Sequence, residues 1–460
     1  MNLYITPHPP IILSEIGKGE EEKAEKTVLG MKKIASDIKR KKPKTIAIIT
    51  PHGNVFSDAL CINTEHIIKG NFGGFGYDEI SYKFDGSDRA KAIFEELNRN
   101  GIACIDLNKK TASQYSISKG IDHGALVPLH FILQEYKGFD LVHINAGFLS
   151  KTQMYEAGEI IARVLGEENV LIASGDLSHR LTRGAPSGYD EMGKIYDEYI
   201  MNAVKNDRYI DILEVDENML ERAGQCAQKP LEILAGALEG YKTESEVYSY
   251  EGPFGVGYLT AGIVRKEKSK KSVIAEFLEH REEGFLKMKR KEDEYVSLAR
   301  RTIDEYIKHG DIIEVPEGLS DELYTERKGV FVSIKKEGRL RGCIGTIEPL
   351  HESIAKEIIK NAISASTRDP RFNEIEENEL SDLVISVDVL FPPEDIESMD
   401  MLDTEEYGVI VNKGYRRGLL LPNLEGIDSV DEQVSIALQK AGIREDENYE
   451  LQRFKVVRHI

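Results

Sequence analysis

Two hydrophobic periodicities alternate along the first 264 residues. Mostly apolar runs at 3–5, 45–50, 102–107, 141–145 and 170–174 predict short buried strands. Between them, apolar residues recur at helical spacing. The clearest case is 20–40, where Val28, Met31, Ile34 and Ile38 share one face; 87–100, 125–136, a stretch ending near 165, and 189–205 follow. Residues 221–238 read as a loop entering a buried helix, and 252–264 as a last strand. Strands alternating with helices predict an α/β domain built on a mixed sheet. One stretch breaks the rhythm: 59–85 is glycine-rich and loop-like, most open at 71–76. It lacks the strand-to-helix setting of a phosphate-binding loop. A flap near a substrate is the better expectation.

From Arg265 the pattern changes. RKEKSKK opens a strongly charged helical stretch, taken as a linker over 266–292 after a first domain of 1–265. The remainder, 293–460, predicts an α+β domain. Its expected parts are a helix (296–309), a hairpin (330–335 and 340–344, turning at Glu337-Gly338), a helix (350–365), a strand (383–390) closed by Pro392-Pro393, a second hairpin (409–411 and 418–421), and a closing helix (430–441).

Composition narrows the class of partner. The 460 residues carry a net charge of −20, which sets nucleic acid aside. No window approaches a transmembrane span, and the N-terminus lacks the basic and apolar regions of a signal peptide, so no membrane association and a cytoplasmic location are expected. Cys61, Cys104, Cys226 and Cys343 are widely spaced with no C-x-x-C pair, which argues for a reducing compartment and against a structural zinc site.

The candidate chemistry sits at strand ends, where α/β sheets bind ligands. His8 follows the first strand, His52 the second and His179 the fifth (as SGDLSH, 174–179), while His123 opens a helix behind Asp122. A histidine at a helix N-terminus is biased toward the neutral base. Two neutral histidines with an anionic ligand and open positions hold non-haem iron(II). His66, His130 and His143 are expected to be ordinary core or surface residues.

The motifs PHPP (7–10), PHG (51–53), DHG (122–124) and SGDLSH, in that order, resemble the class III extradiol ring-cleavage dioxygenases over about 1–264. The resemblance implies Fe(II) on His8 and His52, with zinc or copper as the alternatives, and His123 and His179 as acid and base toward a small aromatic substrate. Asp176 is then a candidate to orient an imidazole or anchor the turn. The third ligand departs from that pattern: aligning Ala223-Gly224 with the family's lead-in puts Lys229 where its glutamate stands. Cys226-Ala-Gln-Lys-Pro230 instead resembles the Memo family, whose metal site uses a cysteine in a C-x-x-x-P setting. Cys226 and Glu232 are therefore both carried as third-ligand candidates.

In the second domain LRGCIG (340–345), 361–372, GLLLP (418–422) and KAG (440–442) resemble the AMMECR family over about 293–460, with Ile427-Asp428 in place of its usual aromatic-Asp pair. Cys343, beside Arg341 and with Arg368 and Arg371 as further neighbours, is a candidate nucleophile or simply a buried strand cysteine. Two readings follow: a metal-dependent extradiol-dioxygenase-like enzyme fused to an AMMECR domain, or a Memo-like metal-binding protein without ring cleavage. Families like these two halves are associated with a radical SAM protein, which the resemblance offers as a partner. A homo-oligomer is left open.

Overall fold

The computed structural model describes residues 1–336, 338–424, 427 and 429–460. Glu337 of the expected hairpin turn and Asp428 lie outside the described residues. The chain forms two compact units, Met1–Arg281 and Glu282–Ile460. Their boundary falls inside the helix Val273–Lys289.

The first unit is built on ten strands: β1 (Asn2–Thr6), β2 (Thr45–Thr50), β3 (Leu60–Asn63), β4 (Ile67–Phe72), β5 (Tyr77–Asp85), β6 (Cys104–Leu107), β7 (Asp140–Asn145), β8 (Val170–Ser174), β9 (Tyr241–Glu251) and β10 (Tyr258–Lys268). Eight of them form one sheet in the order β6-β3-β7-β2-β8-β1-β10-β9. The run β7-β2-β8-β1 is parallel, whereas β3 against β7, β10 against β1 and β9 against β10 are antiparallel, so the sheet is mixed.

Its central strands are buried on both faces because alternate residues serve two cores. Leu3, Ile5, Ala47, Ile49, Leu171 and Ala173 join the helices Lys151–Leu165 and Glu191–Lys205. Tyr4, Ile46, Ile48, Val170 and Ile172 join Glu25–Lys41 and His123–Glu135. Helices on both faces make this a three-layer α/β unit.

One expectation needs correction. Residues 59–85 are not a loop: they hold β3 and an antiparallel hairpin of β4 and β5. β3 is short and buried, and β4 and β5 carry polar, partly exposed residues with no continuous apolar run. β9 escaped prediction for the same reason: it is an edge strand whose residues alternate between exposed and half-buried positions. Asp122 occupies the N-cap position of its helix but makes no capping hydrogen bond.

The second unit has β11 (Gly329–Lys336), β12 (Arg339–Thr346), β13 (Leu383–Leu390), β14 (Glu394–Ile396), β15 (Tyr407–Lys413), β16 (Arg416–Leu420) and β17 (Glu450–His459). They form an antiparallel sheet ordered β12-β11-β13-β17-β15-β16, with β14 on β17. Val330, Val332, Ile334, Ile385 and Val387 pack under the helices Glu294–His309 and Ile354–Thr367. Helix Val430–Ala441 covers Val409, Val411 and Leu420. This is an α+β unit.

Candidate metal centre

The site begins with register. β8 lies between β2 and β1, parallel to both, with Thr6 opposite Ser174 and Ile49 opposite Ala173. The carboxyl ends of three adjacent strands are thus level, and the chain leaving each carries a histidine: His8, His52 and His179. Helix His123–Glu135 adds His123 as its first residue.

One ligand nitrogen each of His8, His52 and His123 lies within 4.8 Å of the others. The rings of His52 and His123 stack with centroids 4.5 Å apart, and His8 meets both edge-on at 4.8 and 5.4 Å. The tautomer of His8 follows from its partners. Ser174 Oγ donates its proton to the Gly124 carbonyl at 2.5 Å, so at 3.0 Å from His8 Nδ1 it can only accept. Nδ1 therefore carries the hydrogen, and the Nε2 lone pair faces the cluster.

Burial, reinforced by the His52 and His123 imidazoles, holds His8 well below the usual histidine range. Burial and His123 push His52 down to about 4, and burial lowers His123. Three neutral imidazoles crowded together without a carboxylate among them have the chemistry of a metal donor set. Spacing agrees: His52 Nε2 and His8 Nε2 are 3.0 Å apart, close to the separation of adjacent ligands with metal–nitrogen bonds of about 2.1 Å.

Cys226 joins this edge. Its Sγ is 3.6 Å from His8 Nε2, and it accepts the Asp176 N–H at 3.2 Å. Burial, with Asp176 beside it, raises the free thiol well above its ordinary value. The close approach depends on Gly175, where any β-carbon would sit 2.3 Å from the Ala227 backbone. Asp176 anchors rather than orients an imidazole: Oδ1 accepts the His8 N–H at 2.9 Å, and its carbonyl accepts from Cys226 and Ala227. Burial pushes its carboxyl up to about 7 against the His8 hydrogen bond. Glu232 is fully buried but does not join the histidines; it accepts from Lys229 Nζ at 2.9 Å and from Gln228 at 3.2 Å. Lys229 thus pairs with the carboxylate instead of replacing one.

His179 stands differently. Its Nε2 is buried with no hydrogen-bond partner, and burial and His52 lower its pKa. A buried, unpartnered imidazole nitrogen is costly unless something arrives to use it. Phe75, at the tip of the β4–β5 hairpin and 46% exposed, sets its ring edge-on to His123 with centroids 5.2 Å apart.

A further group was not anticipated. Asp122 accepts from Thr50 Oγ1 at 2.7 Å, from Asn145 Nδ2 at 3.0 Å and meets His143 Nε2 at 2.9 Å, while Asn145 Nδ2 also donates to the His52 carbonyl at 2.7 Å. Burial would raise the Asp122 carboxyl, but His143 and Thr50 outweigh it and hold it below the usual carboxylate range. This network ties the backbones of His52 and His123 together. Its signal in the sequence was His143 and Asn145 at alternate positions of an otherwise apolar strand.

In the second unit Cys343 faces Ser333 across the β11–β12 pair, accepting its hydroxyl hydrogen at 3.2 Å, and its N–H donates to Asp369 at 2.9 Å. Arg341 is turned to Glu379 at 2.9 Å, and Arg371 is bound to Asp369 at 2.7 Å and to the Cys343 carbonyl. Arg368 is exposed. No base among the described residues is hydrogen-bonded to the thiol.

Comparisons with known proteins match this division. Residues 2–261 match the family described as the catalytic LigB subunit of aromatic ring-opening dioxygenase, and 296–459 match AMMECR1. A Clostridium acetobutylicum protein is 41% identical over 463 residues, covering 99% of this chain and 98% of its own. A Thermotoga maritima protein is 49% identical over 170 residues, 36% of this chain and 98% of its own. Among solved structures, an uncharacterized Pyrococcus horikoshii protein is 36% identical with a TM-score of 0.33, covering 36% of this chain and 88% of that one. An uncharacterized Escherichia coli protein is 15% identical with a TM-score of 0.40, covering 57% and 99%. The chain belongs to the family of the catalytic LigB subunit of aromatic ring-opening dioxygenases, and carries an AMMECR1 domain fused behind it.

Proposed function

We propose that the first unit is a non-haem iron(II) oxygenase of the extradiol type, cleaving a catechol-type aromatic ring or carrying out a related oxidation. The observation that carries this reading is the convergence of His8, His52 and His123 within 4.8 Å beside His179, whose Nε2 has no partner. His8 and His52 hold the metal, with Cys226 or His123 completing the set. When bound, iron(II) supplies redox chemistry toward O₂ and Lewis acidity toward a phenol. The residues supply the rest. His179, kept neutral by burial, accepts a phenolic proton at Nε2 and returns it to the product. Ser174 fixes the His8 ring through Nδ1, and the Asp122–Asn145 network fixes the His52 backbone. Phe75 sets the edge of its ring against His123.

A second reading has its own support. A thiol stands beside His8, and Glu232 is tied to Lys229. A cysteine-containing site of this kind fits a Memo-like metal-binding protein that cleaves no ring and works with a radical SAM partner. The two readings part in one assay. Fe(II)-loaded protein given O₂ and a panel of catechols yields a yellow ring-fission product under the first, and the His179→Ala variant yields none. No turnover by wild type at full iron occupancy selects the second.

A further inference from the structure

One buried carboxylate of the first unit has no part in the chemistry above. Asp197, in the helix Glu191–Lys205, is fully buried. Burial pushes its carboxyl up to about 7, against hydrogen bonds from the Ser178 N–H and the Tyr250 hydroxyl, and no cation is among the groups that act on it. A carboxylate held in the interior without a positive partner is costly. Its place in the fold shows what it secures.

Asp197 holds the turn that carries His179. Its Oδ1 accepts the Ser178 N–H at 2.8 Å, and its Oδ2 accepts the hydroxyl hydrogen of Tyr250, on β9, at 2.7 Å. The flanking amides go to backbone: Leu177 donates to the Gly257 carbonyl at 2.8 Å and His179 to the Ala223 carbonyl at 3.2 Å. Ser178 is itself fully buried, so without Asp197 its N–H has no acceptor. Two glycines clear the approach. A β-carbon at Gly257 would sit 2.0 Å from Asp197 Oδ2, and one at Gly193, a helical turn before Asp197, would sit 2.3 Å from Ser178 Oγ. His179 needs such support because its buried Nε2 has no hydrogen-bond partner. The place of the ring is then set by packing and by the backbone that bears it.

We infer that Asp197 is a positioning residue for His179: its carboxylate, steadied by the Tyr250 hydroxyl, fixes the Ser178 N–H and through it the imidazole beside the histidine cluster. Its effect on a reaction rests on the proposed acid–base role of His179; its effect on the place of the imidazole does not.

The test uses full-length Fe(II)-loaded protein and two readouts. One is exchange of the imidazole C2 hydrogens for deuterium, resolved histidine by histidine by mass spectrometry; the other is kcat and KM with catechol. In Asp197→Ala the His179 exchange rises at least about fivefold as the turn loosens, while His8, His52 and His123 and the iron stoichiometry stay at wild-type values. Turnover falls about tenfold to 10²-fold in kcat, with KM within about twofold of wild type. Asp197→Asn keeps an oxygen for the Ser178 N–H and returns both readouts to within about threefold of wild type. Ile200→Ala, a core truncation in the same helix, lowers stability and moves neither. Should Asp197→Ala not fold, Tyr250→Phe removes only the supporting hydroxyl and raises His179 exchange at least about twofold. Unchanged His179 exchange in the folded variant, an equal rise in Ile200→Ala, or no recovery in Asp197→Asn overturns the inference. Absence of turnover by iron-loaded wild type removes the oxygenase reading alone, and the exchange of His179 then decides the role of Asp197.

Discussion

The histidine cluster of the first unit and the Cys343 neighbourhood of the second are each built around a sequence motif at a strand, yet they treat polar groups in opposite ways. Around Cys343 the charges are matched: Asp369 with Arg371, Glu379 with Arg341, Asp388 with Arg458. Around His8 the imidazoles are pushed toward neutrality, and one of them is left without a partner. His8, His52, His123 and His179 are all lowered by burial, and His179 Nε2 is buried without a hydrogen bond. A network that satisfies itself stabilises a fold, whereas one that leaves a buried polar atom unpartnered is poised for a ligand. On the proposed reading, the first region carries chemistry and the second serves as scaffold.

Mutations can break that contrast. His8→Ala and His52→Ala should have the largest effect, lowering iron affinity by at least about 100-fold by anaerobic titration, since each removes a proposed direct ligand. His179→Ala should leave iron binding intact and reduce turnover by about 10² to 10⁴-fold, the range for loss of a general acid–base. A fall in iron affinity equal to that of His8→Ala would instead make His179 a ligand. Cys226→Ser should weaken iron binding by roughly tenfold or more. Glu232→Gln should leave affinity unchanged and act on stability through Lys229; the reverse pattern would exchange their roles.

The second unit should respond more weakly and through pH. Burial opposes ionisation of Glu379, but Arg341 and Lys336 outweigh it and hold the carboxyl down at about 2. A depressed carboxyl stabilises the fold above its unfolded value and loses that contribution as pH falls through its folded one. Arg341→Ala should therefore lower unfolding free energy by about 1 kcal/mol at pH 7 in urea titrations, with the difference from wild type fading toward pH 2. Cys343→Ser should be the mildest, changing stability by roughly 0.5 kcal/mol and iron binding not at all. A loss of any activity in that variant would return Cys343 to the list of reactive groups.

Much of the fold was legible because strong periodicity leaves few alternatives. β2 and β13 and the helix Val430–Ala441 lie where the apolar pattern put them. What was hidden had weak patterning: β4 and β5 mix polar and charged residues with apolar ones, and β9, β14 and β17 lack a continuous apolar run. In the site, His8 and His52 could be suspected because each follows a strand end. Residues whose role is geometric could not be found that way. Asn145 and His143 matter through contacts with Asp122, more than twenty positions away in the chain. The hydrogen bond from the Ser178 N–H to Asp197 exists only once helix and turn are packed together.

The central claim is that the neutral histidine cluster is a metal site, and metal analysis of anaerobically prepared protein tests it most directly. The account predicts about one Fe(II) per chain in wild type and in Cys343→Ser, and none in His8→Ala or His52→Ala. Full iron retention by both histidine variants, or no stoichiometric metal in wild type, would contradict it.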